Sequence, residues 1–92
     1  MKFTLFTPSR HLPDVECDSV KLHIADSVHG RFSGLYGIKK GHAKTVFSLA
    51  QGRITASLNG QEVFSAVCQS GFATVDKDVV TVVVDGIDED GQ

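Results

Sequence analysis

Four side chains able to bind a metal recur every six residues: His11, Cys17, His23 and His29. Imidazole and thiolate suit zinc, whose ligands must converge within about 2.0–2.3 Å of one ion. Six residues of extended strand span about 20 Å at ~3.3 Å per residue, so neighbours in this series share no ion unless the chain folds back. Exposed histidines on strand faces and in loops account for the spacing, and no metal is expected. Cys68, in "CQSGF", is the second candidate, a thiol with four histidines in the chain to serve as its base. No catalytic-cysteine signature surrounds it, and the apolar strand on its flank implies a buried, inert thiol. Asp76, Asp78, Asp88, Glu89 and Asp90 fall in turn and tail positions where carboxylates are solvated. Nothing pairs them into an acid–base site.

The third candidate is "GLYGIKKGHAKTVFSLAQGRI", residues 34–54, where Gly34, Gly37 and Gly41 alternate with Lys39, Lys40 and His42 ahead of an apolar run. A phosphate cradle needs the spacing G-x-x-x-x-G-K-[ST] and a following helix whose N–H groups face the anion. Here His42, not lysine, follows Gly41. A dinucleotide fingerprint would sit between a parallel strand and a helix, and the chain shows no such alternation. No nucleotide or other cofactor is expected. The stretch reads instead as a glycine-bent surface for another protein to grip, with turns at Gly34, Gly37 and Gly41.

The elements that must position this surface are strands. Period-two alternation dominates, punctuated by glycine, asparagine and aspartate. "KFTLFT" alternates up to Pro8, and "DSVKLHIA" places Val20, Leu22 and Ile24 on one face. "GRITASL" places Ile54, Ala56 and Leu58 together and meets Asn59-Gly60, the pair best suited to a type I′ turn. "QEVFSAVC" returns. "GFATV" and "VVTVVVD" form a second hairpin about Asp76-Lys77-Asp78, and residues 79–84, apolar on both parities, predict a strand covered on both sides. Residues 42–52 read as a strand through Phe47 and Leu49 rather than a helix, since a β-branched pair and glycine boundaries disfavour helix. A two-residue turn at Asn59-Gly60 pairs Ala56 with Val63 and Ile54 with Ser65. That register sends Phe64 to the outer face, unless a bulge shifts it. Six to ten short strands predict an all-β sandwich.

Ninety-two residues make one domain, expected over 1–86 with a short, frayed acidic tail over 87–92. The net charge of −2 and a pI of about 6.0 give no general attraction to nucleic acid or anionic lipid. Two cysteines are too few for a disulfide scaffold and fit a reducing compartment. The N-terminus does not read as a signal peptide, and no apolar run reaches the ~20 residues that span a bilayer. A membrane link would therefore run through a partner, with no direct insertion.

The glycine-rich stretch resembles the epsilon subunit of F-type ATP synthases, called delta in mitochondria. That family reads G-x-x-G-[IVL]-x-P-[GN]-H-A-P, then an apolar strand and a later glycine. Gly34, Gly37, Ile38, Gly41, His42, Ala43 and Gly52 fall on those positions. "FTLFTPSRHLPDVECDSVKLHIAD" is similar to the family's opening, and "CQSGFATVDKDVVTVVVD" to its closing strands. Lys40 and Lys44 replace the two loop prolines, which leaves φ less constrained. Leu35 stands where many members carry an acid. "SVHGRFS" is an insertion that lengthens the turn ahead of the loop.

The resemblance implies a ten-stranded β-sandwich without the family's C-terminal helical hairpin. It implies a non-catalytic rotor subunit of the central stalk, linking the gamma subunit to the c ring and helping couple ion translocation to ATP synthesis or hydrolysis. The inhibitory helices would be missing. The tip would meet the ring through Tyr36, Lys39, Lys40 and His42, and Phe64 would face gamma. The isolated chain is expected to be monomeric. The location expected is the bacterial cytoplasm, peripheral on the inner face of the plasma membrane. The competing reading is a free-standing β-sandwich binding module, since one fold hosts many functions.

Overall fold

Alternation decides which side chains meet. In a computed structural model that describes residues 1–26 and 31–88, every described element is a strand. In order they are β1 (Lys2–Phe6), β2 (Val15–Glu16), β3 (Ser19–Asp26), β4 (Arg31–Lys39), β5 (Thr45–Leu49), β6 (Gly52–Leu58), β7 (Gln61–Cys68), β8 (Gly71–Asp76), β9 (Val79–Val84) and β10 (Ile87–Asp88). Val20 and Leu22 of β3, Ile54 and Ala56 of β6, Ala66 and Cys68 of β7, Ala73 and Val75 of β8, and Val80, Val82 and Val84 of β9 are all buried. Each set sits two residues apart, so one face of each strand turns inward.

The hydrogen-bonded path runs β10-β7-β6-β3-β5-β8-β9-β1-β2, with β4 on the other edge of β3. Only Ile24↔Leu49 joins β3 to β5, and the chain turns a corner between β5 and β6 at Ala50 and Gln51. The path folds there into two layers, β10-β7-β6-β3-β4 and β5-β8-β9-β1-β2. Phe3 of β1 meets Phe64 of β7 across the interior, with ring centroids 5.1 Å apart. This is the predicted β-sandwich, and its ten strands match the family expectation. Residues 42–52 contain the strand β5, with Phe47 and Leu49 buried, and no helix. β1 and β9 pair in parallel, the exception among antiparallel neighbours.

Five expectations need correction. Gly34 and Gly37 do not turn the chain; both lie inside β4, which pairs with β3 from Ser19↔Lys39 to Asp26↔Arg31. A bulge between Ile24 and Ala25 in that pairing absorbs the irregularity near Gly34. Phe64 does not face outward toward a partner, because the bulge that the sequence left open is present. The β6–β7 register slips between Ala56 and Ser57, so that Ala56 opposes Phe64 and Val63 is the bulged residue. That one-residue slip moves Phe64 to the inner face, where it packs against the core. Residues 79–84 are covered on one side only, for Val79, Thr81 and Val83 stay half-exposed. The turn after β8 is the pair Lys77 and Asp78, both at positive φ, with Asp76 already paired to Val79. The expected tail begins later than Gly86, because Ile87 and Asp88 pair with Cys68 and Val67. The rest of the tail, His29 and most of the inserted turn lie outside the described residues.

Candidate protein-docking tip

The β4–β5 connection is a built corner. The Lys39 carbonyl accepts the His42 amide hydrogen at 3.1 Å, closing a four-residue turn with Gly41 at φ 86. Positive φ at the third position marks a type II turn, which needs glycine there and favours proline at the position of Lys40. The Gly41 amide donates to Asp78 Oδ1 at 2.9 Å, which ties the corner to the β8–β9 turn. Thr45 Oγ1 donates to the Ala43 carbonyl at 2.8 Å.

Side chains stiffen the corner further. His42 Nδ1 lies 2.8 Å from the Ala43 carbonyl, which can only accept, so this nitrogen carries the hydrogen. In the neutral ring Nε2 is then the acceptor, and the Tyr36 hydroxyl donates to it at 2.9 Å. Tyr36, His42 and Phe47 form an aromatic cluster with centroids 5.0–5.9 Å apart. Tyr36 stands on the inner parity of β4 beside Leu22, yet remains 38% exposed at the rim. The predicted contact residues thus separate into two groups. Tyr36 and His42 hold each other, while Lys39 and Lys40 are exposed and have no carboxylate partner among the described residues.

Phe64 lies away from this corner, in the interior beside Phe3. Besides Tyr36, the fold exposes apolar side chains that sequence reading missed: Leu35 at 60%, Val46 at 70%, Val63 at 43% and Phe72 at 48%. Their signal was strand parity, since each sits between inward residues or beside one. Val46 and Phe72 share the outer face of β5 and β8 through the pairs Val46↔Thr74 and Ser48↔Phe72.

The metal and thiol candidates are dispersed. His11 stacks on Phe6 at 4.2 Å and shares a hydrogen bond with Thr4 at 3.0 Å. Its neighbour Asp14 has its carboxyl held below the usual range by the Thr4 hydroxyl first, then by Lys2 and His11. Cys17 and Cys68 are free and buried, and burial pushes the Cys68 thiol up to about 11. Among the described residues no three His, Cys, Asp or Glu side chains come together as ligands.

This fold is found in solved structures, among them two from mitochondrial ATP synthases. Over 96% of this chain and 65% of theirs, a Tetrahymena thermophila mitochondrial ATP synthase central stalk/c-ring structure matches with a TM-score of 0.71 and 12% identity. A Euglena gracilis mitochondrial ATP synthase structure, described as OSCP/F1/c-ring, matches over 94% of this chain and 51% of its own, with a TM-score of 0.72 and 24% identity. The chain therefore spans about half to two thirds of the length of the chains it resembles. No curated protein sequence matches this one. The sequence pattern described as ATP synthase, Delta/Epsilon chain, beta-sandwich domain covers residues 1–89. With nearly the whole chain inside that pattern and the sandwich it demands in place, this protein belongs to the ATP synthase delta/epsilon chain family by its β-sandwich domain.

Proposed function

We propose that this chain is a non-catalytic rotor subunit of an ATP synthase central stalk, held by a gamma subunit and resting on a c ring through the β4–β5 tip. The family match over residues 1–89 carries the reading. The names of the two similar structures, which include a central stalk and c rings, support it. The tip suits docking because its backbone is already fixed by Gly41, Asp78 and the Tyr36–His42 bond. A pre-ordered corner loses little conformational freedom on contact. Lys39, Lys40 and the rim of Tyr36 present polar and aromatic surface, and His42 acts through Tyr36 as a positioning residue. For gamma, the outward Val46 and Phe72 replace Phe64, because an interface centre is built from exposed apolar side chains.

In this role the domain passes torque while catalysis proceeds elsewhere in the assembly. It would be peripheral to the membrane through that assembly, on the bacterial cytoplasmic face. The test is co-purification of the tagged chain from its own cells under mild detergent. Gamma and c subunits should come down together, and a Phe72→Glu variant should lose gamma. Recovery of the chain free of both would overturn the reading.

A further inference from the structure

The sandwich has four sheet edges, and they are unequal. β10 and β2 close one edge of each layer with two residues apiece. The free side of β5 is partly occupied by the Ile24↔Leu49 pair. β4 is different: nine residues long, it pairs with β3 alone, and among the described residues no strand covers its outer side. A row of unpaired backbone donors and acceptors is a template for another strand, and native proteins blunt such edges with charge, proline, bulges or shortness. Between Gly34 and Ile38 β4 has no charge and no proline, and from Ile24↔Gly34 to Ser19↔Lys39 its pairing runs without a shift. Leu35 and Tyr36, on opposite parities, are both exposed there.

Charge indicates what would cover this edge. From residue 27 to residue 61 the chain has no aspartate or glutamate, yet this segment holds Arg31, Lys39, Lys40, Lys44 and Arg53, five of the nine basic residues. Lys39 ends β4, and Lys40 and Lys44 follow it in the connection to β5. The nearby carboxylates are Asp76, beside the Val75 that pairs with Thr45, and Asp78, which the Gly41 amide engages, and among the described residues neither forms an ion pair with these lysines. A second copy of the chain would bring the same uncompensated lysines, so edge-to-edge self-pairing is opposed by repulsion.

We propose that the outer edge of β4 accepts an extended segment of a different polypeptide, added antiparallel as a further strand. Its acidic N-terminal end lies against Lys39, Lys40 and Lys44, and its apolar side chains cover Leu35 and Tyr36. Main-chain hydrogen bonds to residues 34–38 supply the binding, and the lysines fix direction and register. The antiparallel sense follows the layer's own pairings, each of which is antiparallel. The inference shares Tyr36, Lys39 and Lys40 with the ring contact proposed above, but it rests on the open edge of β4 and not on the identity of the donor chain, so it stands or falls in the isolated chain whatever becomes of the stalk reading.

The test uses the 92-residue chain and a capped peptide of about eight residues, threonine alternating with valine behind two N-terminal glutamates. Amide proton–nitrogen spectra and hydrogen exchange are followed during titration. Shifts and slowed exchange should localise to residues 34–39. The same peptide closed by two lysines should bind about tenfold more weakly. A version N-methylated on the edge-facing residues should not bind. A chain carrying Lys39→Glu, Lys40→Glu and Lys44→Glu should reverse the preference toward the lysine peptide, its folding checked by the unchanged spectrum of β7 and β10, which lie away from the corner. No protection of β4 at millimolar peptide, shifts confined to other strands, binding indifferent to N-methylation, or a dimer of the chain paired through β4 would each overturn the proposal.

Discussion

Replacing Gly71 by alanine should damage this fold more than any other glycine-to-alanine change in a strand. Gly71 sits in β8 between Leu49 of β5 and Val84 of β9. A β-carbon there would lie 2.0 Å from the Val83 carbonyl oxygen, 2.7 Å from Val84 Cα and 2.9 Å from the Val83 carbonyl carbon. All three are backbone atoms, so no side chain can swing aside. Restoring a contact of about 3.5 Å requires β8 and β9 to part by more than 1 Å. That breaks the end of their ladder and opens the core beside Val84. Overpacking of this kind costs about 1–3 kcal/mol, and the backbone location puts Gly71→Ala near the top of that range. A domain of this size changes its Tm by about 4–8 °C per kcal/mol, so a fall of roughly 10–20 °C is expected.

Gly37→Ala is the matched control. It is the same chemical change in another strand, with nothing within 4 Å of the added carbon and no positive φ. Reduced freedom of the unfolded chain should make that variant about 0.4–1 kcal/mol more stable. Gly52→Ala should fall between the two, because the obstacle at 2.5 Å is the His23 ring, which can turn. Thermal and urea unfolding followed by far-ultraviolet circular dichroism measure all three. Equal midpoints for Gly71→Ala and Gly37→Ala would refute the packing of β8 on β9.

The tip gives a second prediction: Lys40→Pro should raise stability by about 0.4–1 kcal/mol, because position two of its type II turn presets the proline φ. A drop in the urea midpoint would mean that the turn is of another type. Asp78→Ala should cost about 1 kcal/mol, through loss of the bond to the Gly41 amide and strain at φ 62, while Asp78→Asn retains the acceptor and tolerates that φ and should be near neutral. Equal losses in the two variants would remove the staple from the account. Cys68 supplies a pH test. Its folded thiol ionises near 11, above the ordinary 9.0, so the folded state is favoured below pH 9 and that contribution is lost as pH rises toward 11. Cys68→Ala should flatten this alkaline decline. In native protein at pH 8 neither Cys17 nor Cys68 should react with a thiol reagent, and both should react in urea; rapid native labelling of Cys68 would contradict its burial.

Much of the sandwich was legible because alternation is a direct consequence of one buried face. Val20 and Leu22, Ile54 and Ala56, and the valines of β9 announced their strands without any tertiary knowledge. β4 was not legible, since Gly34 and Gly37 signal turns locally and only pairing with β3 makes them strand residues. For a related reason the sequence leaves Phe64 open between the outer face and a bulge, and the family resemblance sets it facing gamma. The bulge at Val63 is a property of the β6–β7 pairing, and either register satisfied the alternation of β7 taken alone. The two residues of β10 carry an aspartate and look like tail until Cys68 and Val67 supply partners. At the tip, Tyr36 and His42 were singled out as contact residues. That they bond to each other, and that Asp78 from another hairpin fixes Gly41, depends on separations along the chain that no local pattern reports.

In the proposed role the β4–β5 corner meets the ring. A photo-reactive amino acid at position 40, in the assembled complex purified from cells, tests it in one experiment. Illumination should join this chain to a c subunit, identified by mass spectrometry of the adduct. An adduct with gamma alone, or none from a chain that remains bound in the complex, would contradict it.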